Sequence, residues 1–254
     1  MRRHRSVFAL VAGLGLVLTA CGGAEGPSLA AEKTPVTAST PGVTTPARGE
    51  YIAQATVPML EVYSAPDAPS PSSEFENPWY YATDTQKKFP INSVFFSDEQ
   101  KPGWVKVLLP VRPNGSEAWV RAADMVFRPI DLRVVIDVGD RKLHLYRGMR
   151  KLRSFPVAVG EPETPTPLGR FAVAEVIPTG DPKAFLGPIV MPLTAFSNVL
   201  NEYAGGNGRV AIHGTSKPEL IGTAASHGCI RMRNADIQRL TRLVRGGTPV
   251  IIRN

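Results

Sequence analysis

The sequence predicts a mainly β protein with one main helix. Two observations carry this. From Tyr51 onward, short apolar runs are separated by Pro, Gly and Asn turn residues, and only the stretch after Asn234 has apolar residues at helical spacing. Hydrophobic residues fill 43% of the 254 positions, enough to pack a core in one or two domains. No internal repeat is evident.

The chain opens with Arg2, Arg3 and Arg5, followed by an almost wholly apolar run over residues 7–20 that is short for a bilayer span. The run ends in Leu18-Thr19-Ala20-Cys21, with Gly22 after it. This resembles the lipobox of a bacterial lipoprotein. The resemblance implies that residues 1–20 are a signal peptide and that the Cys21 thiol takes a diacylglyceryl group, anchoring the protein to the outer face of the cytoplasmic membrane. Two acyl chains suffice for stable anchoring. Residues 21–50 then comprise the lipidated cysteine and a linker rich in Ala, Thr, Pro, Gly and Ser. Such a composition cannot offset the entropy of ordering, so a flexible tether is expected.

Over residues 51–128 the pattern is of short strands: 57–63, 93–96, 103–110 and 118–120. The last two carry Trp104-Val105 and Trp119-Val120 and flank Asn114-Gly115, which reads as a β-hairpin. These Gly-Trp-Val and Ala-Trp-Val elements make the region similar to a small SH3-like β-barrel. The insertion over residues 65–90 is longer than such a barrel needs, and Trp79-Tyr80-Tyr81 within it is read as core rather than binding surface.

Over residues 129–254 the β pattern strengthens. Strands are expected at 132–138, 142–146 and 154–160, forming an antiparallel meander, and at 170–174, after a Pro-rich loop. Residues 178–208 hold many Pro and Gly and little periodicity, which suggests a lid or binding loop. A strand at 209–212 delivers His213 at its end. Asn234 reads as the N-cap of the helix, with Asp236 in the first turn. Ile237, Leu240, Leu243 and Val244 share one face, and Gly246 stops it; residues 249–252 form a last strand.

The chain has four His and two Cys. With Cys21 lipidated, Cys229 has no disulfide partner, and an unpaired thiol in an exported protein points to a reactive role. His213 lies sixteen positions before it and His227 two before it. A thiol of pKa about 8.5 is only about 3% ionised at neutral pH, and lowering it to ~6 would make it about 90% thiolate. An imidazole can do this or can take the proton itself. Gly228 permits an unusual backbone before the nucleophile, so that the amides of residues 228 and 229 can face a developing oxyanion. Arg231 alternates with Cys229 and suits a substrate carboxylate. His144 falls at a strand position and reads as structural. The His213, His227, Cys229 spacing fits no zinc pattern, so no metal is expected.

Three pieces carry a family resemblance: Ile212-His213-Gly214-Thr215, the Pro167-Leu168-Gly169-Arg170-Phe171 turn, and Ser226-His227-Gly228-Cys229-Ile230-Arg231-Met232. On these, residues 129–254 resemble a YkuD-type L,D-transpeptidase catalytic domain. With the SH3-like region and lipobox before it, the whole resembles exported enzymes of high-GC Gram-positive bacteria. The resemblance implies Cys229 as nucleophile and His213 as general base, with the Gly214 carbonyl orienting the imidazole. It implies an oxyanion hole from His227, Gly228 and Cys229, and hydrogen-bonding roles for Thr215 and Ser226. Arg231 stands where some branches have Asn. The reaction implied is formation of 3→3 peptidoglycan cross-links through a thioester, with D-Ala released, no cofactor, and acylation by carbapenems. L,D-carboxypeptidase activity, attachment of a protein to the wall, and non-catalytic wall binding are the alternatives.

Charge agrees with an anionic polymer as partner. Residues 131–254 carry 17 Lys and Arg against 10 Asp and Glu, whereas residues 51–130 carry 7 against 9. Nucleic acid is a poor partner for an exported chain, and no basic run is interleaved with aromatics. A cysteine endopeptidase of the NlpC/P60 type is disfavoured because there the cysteine precedes the histidine.

Overall fold

A computed structural model describes residues 51–82, 88–91, 94–97, 99–203 and 205–254, all within one compact unit. The expected signal peptide, Cys21 and linker lie outside the described residues, as does Ser93 of one expected strand.

The chain is mainly β, with one α-helix among the described residues. Its N-terminal part is built from short strands. Tyr51–Ala55 pairs antiparallel with Met125–Pro129 on one side and with Val94–Ser97 on the other. The expected hairpin is present as Trp104–Leu108 against Glu117–Arg121. Val105, Val107, Ala118 and Val120 of that hairpin join Ala53, Leu60 and Val62 in a buried cluster. Trp104 packs edge-on against Tyr63 and donates to Asp67, so its polar edge is satisfied.

The second core lies under two sheets. One has the strand order Arg150–Pro156, Lys142–Arg147, Leu132–Asp137, Pro249–Arg253, Gly169–Ala172. The C-terminal strand is parallel to Leu132–Asp137, so the meander is closed by the chain end. The third meander strand starts at Arg150, not at residue 154; its leading Arg and Lys face solvent and break the apolar pattern. The other sheet has the order Ile177–Pro178, Ile189–Phe196, Arg209–His213, Ile230–Arg231.

Ile189–Phe196 corrects the reading of residues 178–208 as a lid or loop. It is an eight-residue strand, buried almost throughout. A strand covered on both faces reads as a continuous apolar run without alternation. Pro192 completed the disguise; it sits where the pairing with Arg209–His213 shifts register, where proline is tolerated.

The helix is shorter than expected, Asn234–Leu240. Asn234 is its first residue and not its cap; Arg233 holds the cap position without a side-chain bond. Ile237, Leu240 and Val244 are buried, but the chain has left the helix before Leu243, which is exposed.

The two parts are joined through specific contacts. Ile52 belongs to the C-terminal core. Asn114, from the hairpin loop, donates to the Phe196 carbonyl at 2.7 Å and accepts from its amide at 2.9 Å. The Arg209 guanidinium lies between the Trp79 and Phe196 rings, 4.4 and 4.3 Å from their centres.

Candidate active site

Strand Arg209–His213 and strand Ile230–Arg231 run parallel, with Ile212 opposite Ile230 and His213 opposite Arg231. Strand alternation then sorts the side chains. Val210, Ile212, Ile230 and Met232 enter the main core. Ala211, His213, Cys229 and Arg231 take the other face. The fold thus brings the two sequence-predicted reactive groups to one surface, where Cys229 is half-buried and His213 is 1% exposed.

His213 Nδ1 lies 2.5 Å from the Gly214 carbonyl. A carbonyl only accepts, so Nδ1 carries the proton and the neutral ring presents a basic Nε2. Burial lowers the imidazole pKa to about 4; the Gly214 bond works against this and the Arg231 charge adds to it. Burial likewise pushes the Cys229 thiol up, opposed by a backbone hydrogen bond with Ala211 and by Arg231. At neutral pH the resting pair is therefore a thiol and a neutral imidazole. Of the two routes left open by the sequence, this favours an imidazole that takes the proton over one that lowers the thiol's pKa, since burial strips a thiolate of the water that would solvate it.

The turn before Cys229 is tied on both sides. Ser226 Oγ donates to the Cys229 carbonyl at 2.5 Å and accepts from the Gly228 amide at 3.2 Å. That amide is thus held by Ser226. Gly228 has φ +109°, a conformation that side chains disfavour. Two threonines hold the turn from outside. Thr166 Oγ1 donates to the Gly228 carbonyl at 3.0 Å while accepting from Gly160, and Thr164 Oγ1 donates to the Ser226 carbonyl at 3.3 Å.

Residues 131–252 match the family of YkuD L,D-transpeptidase catalytic domains. The chain is 32% identical over 154 residues to YkuD of Bacillus licheniformis, covering 58% of this chain and 85% of the relative. The chain belongs to the YkuD family of L,D-transpeptidases. It is also 34% identical over 125 residues to YkuD of Bacillus subtilis, covering 48% of this chain and 66% of that one. Among solved structures, an L,D-transpeptidase from Mycobacterium smegmatis superposes with a TM-score of 0.38 at 18% identity, covering 59% of this chain and 91% of that chain.

In this transpeptidase His227 has partners of its own. Its half-exposed ring stacks on Tyr203 at 4.8 Å, with the phenol oxygen 3.2 Å from Nδ1, and Nε2 is 3.7 Å from Glu161. Arg231 is buried over the Phe185 ring, 5.1 Å from its centre, and Phe185 in turn lies 5.8 Å from the His213 ring. Arg231 Nε has no hydrogen-bond partner among the described residues. His144 lies in the other sheet, opposite Val135 and Ser154, away from this constellation.

Asn234 supports the site from the helix. Its Oδ1 accepts from the Thr215 amide and its Nδ2 donates to the Pro182 carbonyl, both at 2.8 Å. Thr215 Oγ1 accepts from the Lys217 amide. A Cβ on Gly214 would stand 2.5 Å from Asn234 Oδ1 and 2.9 Å from Pro188, so a side chain at the residue that orients His213 would have to displace those neighbours. Sequence reasoning missed the roles of Thr164, Thr166, Phe185 and Asn234. The Thr164-Pro165-Thr166-Pro167 run carried a signal, paired hydroxyls in a rigid loop, but their targets lie 62 residues away in each case.

Proposed function

We propose that the protein forms 3→3 cross-links in peptidoglycan by acyl transfer through Cys229. The observation that carries the reading is the shared face of His213 and Cys229, with His213 Nδ1 bound to Gly214 so that Nε2 is free to take a proton. Cys229 Sγ attacks the carbonyl of the third residue of a tetrapeptide donor stem as its proton passes to His213 Nε2. The C–N bond to the terminal D-Ala breaks, and His213 returns the proton to the departing amine. The side-chain amine of the third residue of an acceptor stem then attacks the thioester and releases the thiol. Water in place of that amine gives L,D-carboxypeptidase activity, and a protein amine gives wall attachment. Arg231, buried and short of one partner, supplies positive charge for a donor carboxylate. The same nucleophile accounts for acylation by carbapenems, whose strained carbonyl is open to a thiol.

The remaining parts serve delivery. Residues 1–20 direct export, lipid on Cys21 holds the protein at the membrane, and residues 21–50 let it reach the wall, as in high-GC Gram-positive enzymes. Residues 51–128 form an SH3-like module, supported by the paired Trp hairpin with its own core.

Mass spectrometry after incubation with a disaccharide-tetrapeptide tests the chemistry. A dimer lacking one D-Ala is expected, together with an acyl-enzyme adduct on Cys229. Cys229→Ala abolishes both; dimers persisting in that variant would overturn the assignment.

A further inference from the structure

Trp79 was expected in the core of the N-terminal part, yet it packs elsewhere. It opens the hairpin of Trp79–Ala82 and Lys88–Ile91, and the preceding Asn77 donates to the Ala55 and Val57 carbonyls, which fixes the approach of the chain. The half-buried indole packs against the cluster of Ala174, Ile177, Val190 and Ala211, and Cys229 packs against that cluster too. Its neighbour Tyr80 is 59% exposed, so the hairpin commits one aromatic to this surface and leaves the other in solvent. Arg209 stacks on the ring and holds it in place. Trp79 thus reaches out of the residues before 131 to the cluster that also takes Cys229.

We propose that Trp79 is a specificity-determining residue of the acyl-donor site, its open indole surface contacting the aliphatic portion of the donor stem as the stem lies against Cys229. The catalytic domain then borrows one wall of its site from the N-terminal part, and donor selection depends on both. This rests on the reading of Cys229 as nucleophile.

The test uses the full chain with Trp79→Ala, Trp79→Phe and, as a control for docking of the two parts, Asn114→Ala. Steady-state donor turnover and the rate of Cys229 alkylation by iodoacetamide are measured on each. Trp79→Ala is expected to raise KM for the donor about tenfold with kcat changed less than threefold, as loss of an apolar contact does. Phenylalanine restores most of the KM, and alkylation quickens in Trp79→Ala as the thiol is uncovered. Unchanged KM and alkylation in Trp79→Ala overturn the proposal, and so does an equal KM effect in Asn114→Ala, which would assign the loss to docking. Should Trp79→Ala fail to fold, Trp79→Leu takes its place, and unchanged KM and alkylation in that variant overturn the proposal as well. A wild-type protein that alkylates at Cys229 but turns over no donor sinks the acyl-transfer reading instead, and the alkylation rates still decide whether Trp79 covers the thiol.

Discussion

Acidification tests the buried, neutral state of His213. Its pKa is held at about 4 in the folded protein against 6.5 for the unperturbed ring. Between those values the unfolded chain binds a proton that the folded chain refuses, so stability falls as pH falls. Integrating the difference gives a loss of about 1.4 kcal/mol at pH 5.5 and about 2.6 kcal/mol at pH 4.5, levelling near about 3.4 kcal/mol below pH 4; above pH 7 the contribution vanishes. His144 is also lowered by burial and pushes in the same direction, so wild type alone cannot isolate His213. The comparison is therefore with His213→Gln. Glutamine removes the titration and leaves His144 and every carboxylate in place, while the loss of the Nδ1 bond to Gly214 adds an offset independent of pH. Urea unfolding of both proteins at pH 7.5, 5.5 and 4.5 gives the difference in stability at each pH. The wild-type minus variant value should drop by about 2.5 kcal/mol between the first and last. Parallel curves would mean that His213 protonates in the folded state as in water, and the neutral resting pair would be wrong.

Two further outcomes follow from the site. The pH profile of Cys229 alkylation should have its midpoint above the ordinary thiol value of about 8.5, because burial raises it; a midpoint between 6 and 7 would establish a resting thiolate–imidazolium pair. Gly214→Ser should destabilise the protein by about 2 kcal/mol in urea, since its Cβ displaces Asn234 Oδ1 from the Thr215 amide, and the penalty should shrink when Asn234→Ala is already present; additive effects would show that the close approach is relieved elsewhere.

The site was more legible than the scaffold that makes it. Cys229 stood out as a thiol with two histidines near it in sequence; the choice of His213 as base and of the Gly214 carbonyl as its partner came from the family resemblance, and Nδ1 of His213 does lie on that carbonyl. The strands on either side of His213 were less legible. Arg209–His213 alternates and was found; Ile189–Phe196, its antiparallel neighbour, is buried on both faces and contains Pro192, so it carries none of the signals of a half-exposed strand. Asn234 was misread for a related reason. An Asn before an apolar helical pattern has the same local appearance whether it caps the helix or reaches across to Thr215, and only the tertiary fold distinguishes the two. Trp79 was beyond local reasoning altogether, since nothing near it in sequence says that its hairpin meets strand Arg209–His213.

The charges around the thiol explain how a neutral pair can still be a reactive one. Burial makes both separated charges, thiolate and imidazolium, unfavourable before substrate arrives. Arg231 treats them unequally. Its guanidinium lowers both pKa values, so it favours negative charge on sulfur and disfavours positive charge on the ring. Its Nε has no hydrogen-bond partner among the described residues. In the proposed reaction the negative charge does not stay on sulfur; it passes to the carbonyl oxygen as the S–C bond forms. A fixed, buried cation stabilises that transfer without having to reorganise, whereas a free thiolate waiting in the site would be exposed to oxidation in the compartment where the protein is proposed to work. Keeping the proton on sulfur until the carbonyl arrives therefore ties ionisation of the thiol to the presence of donor.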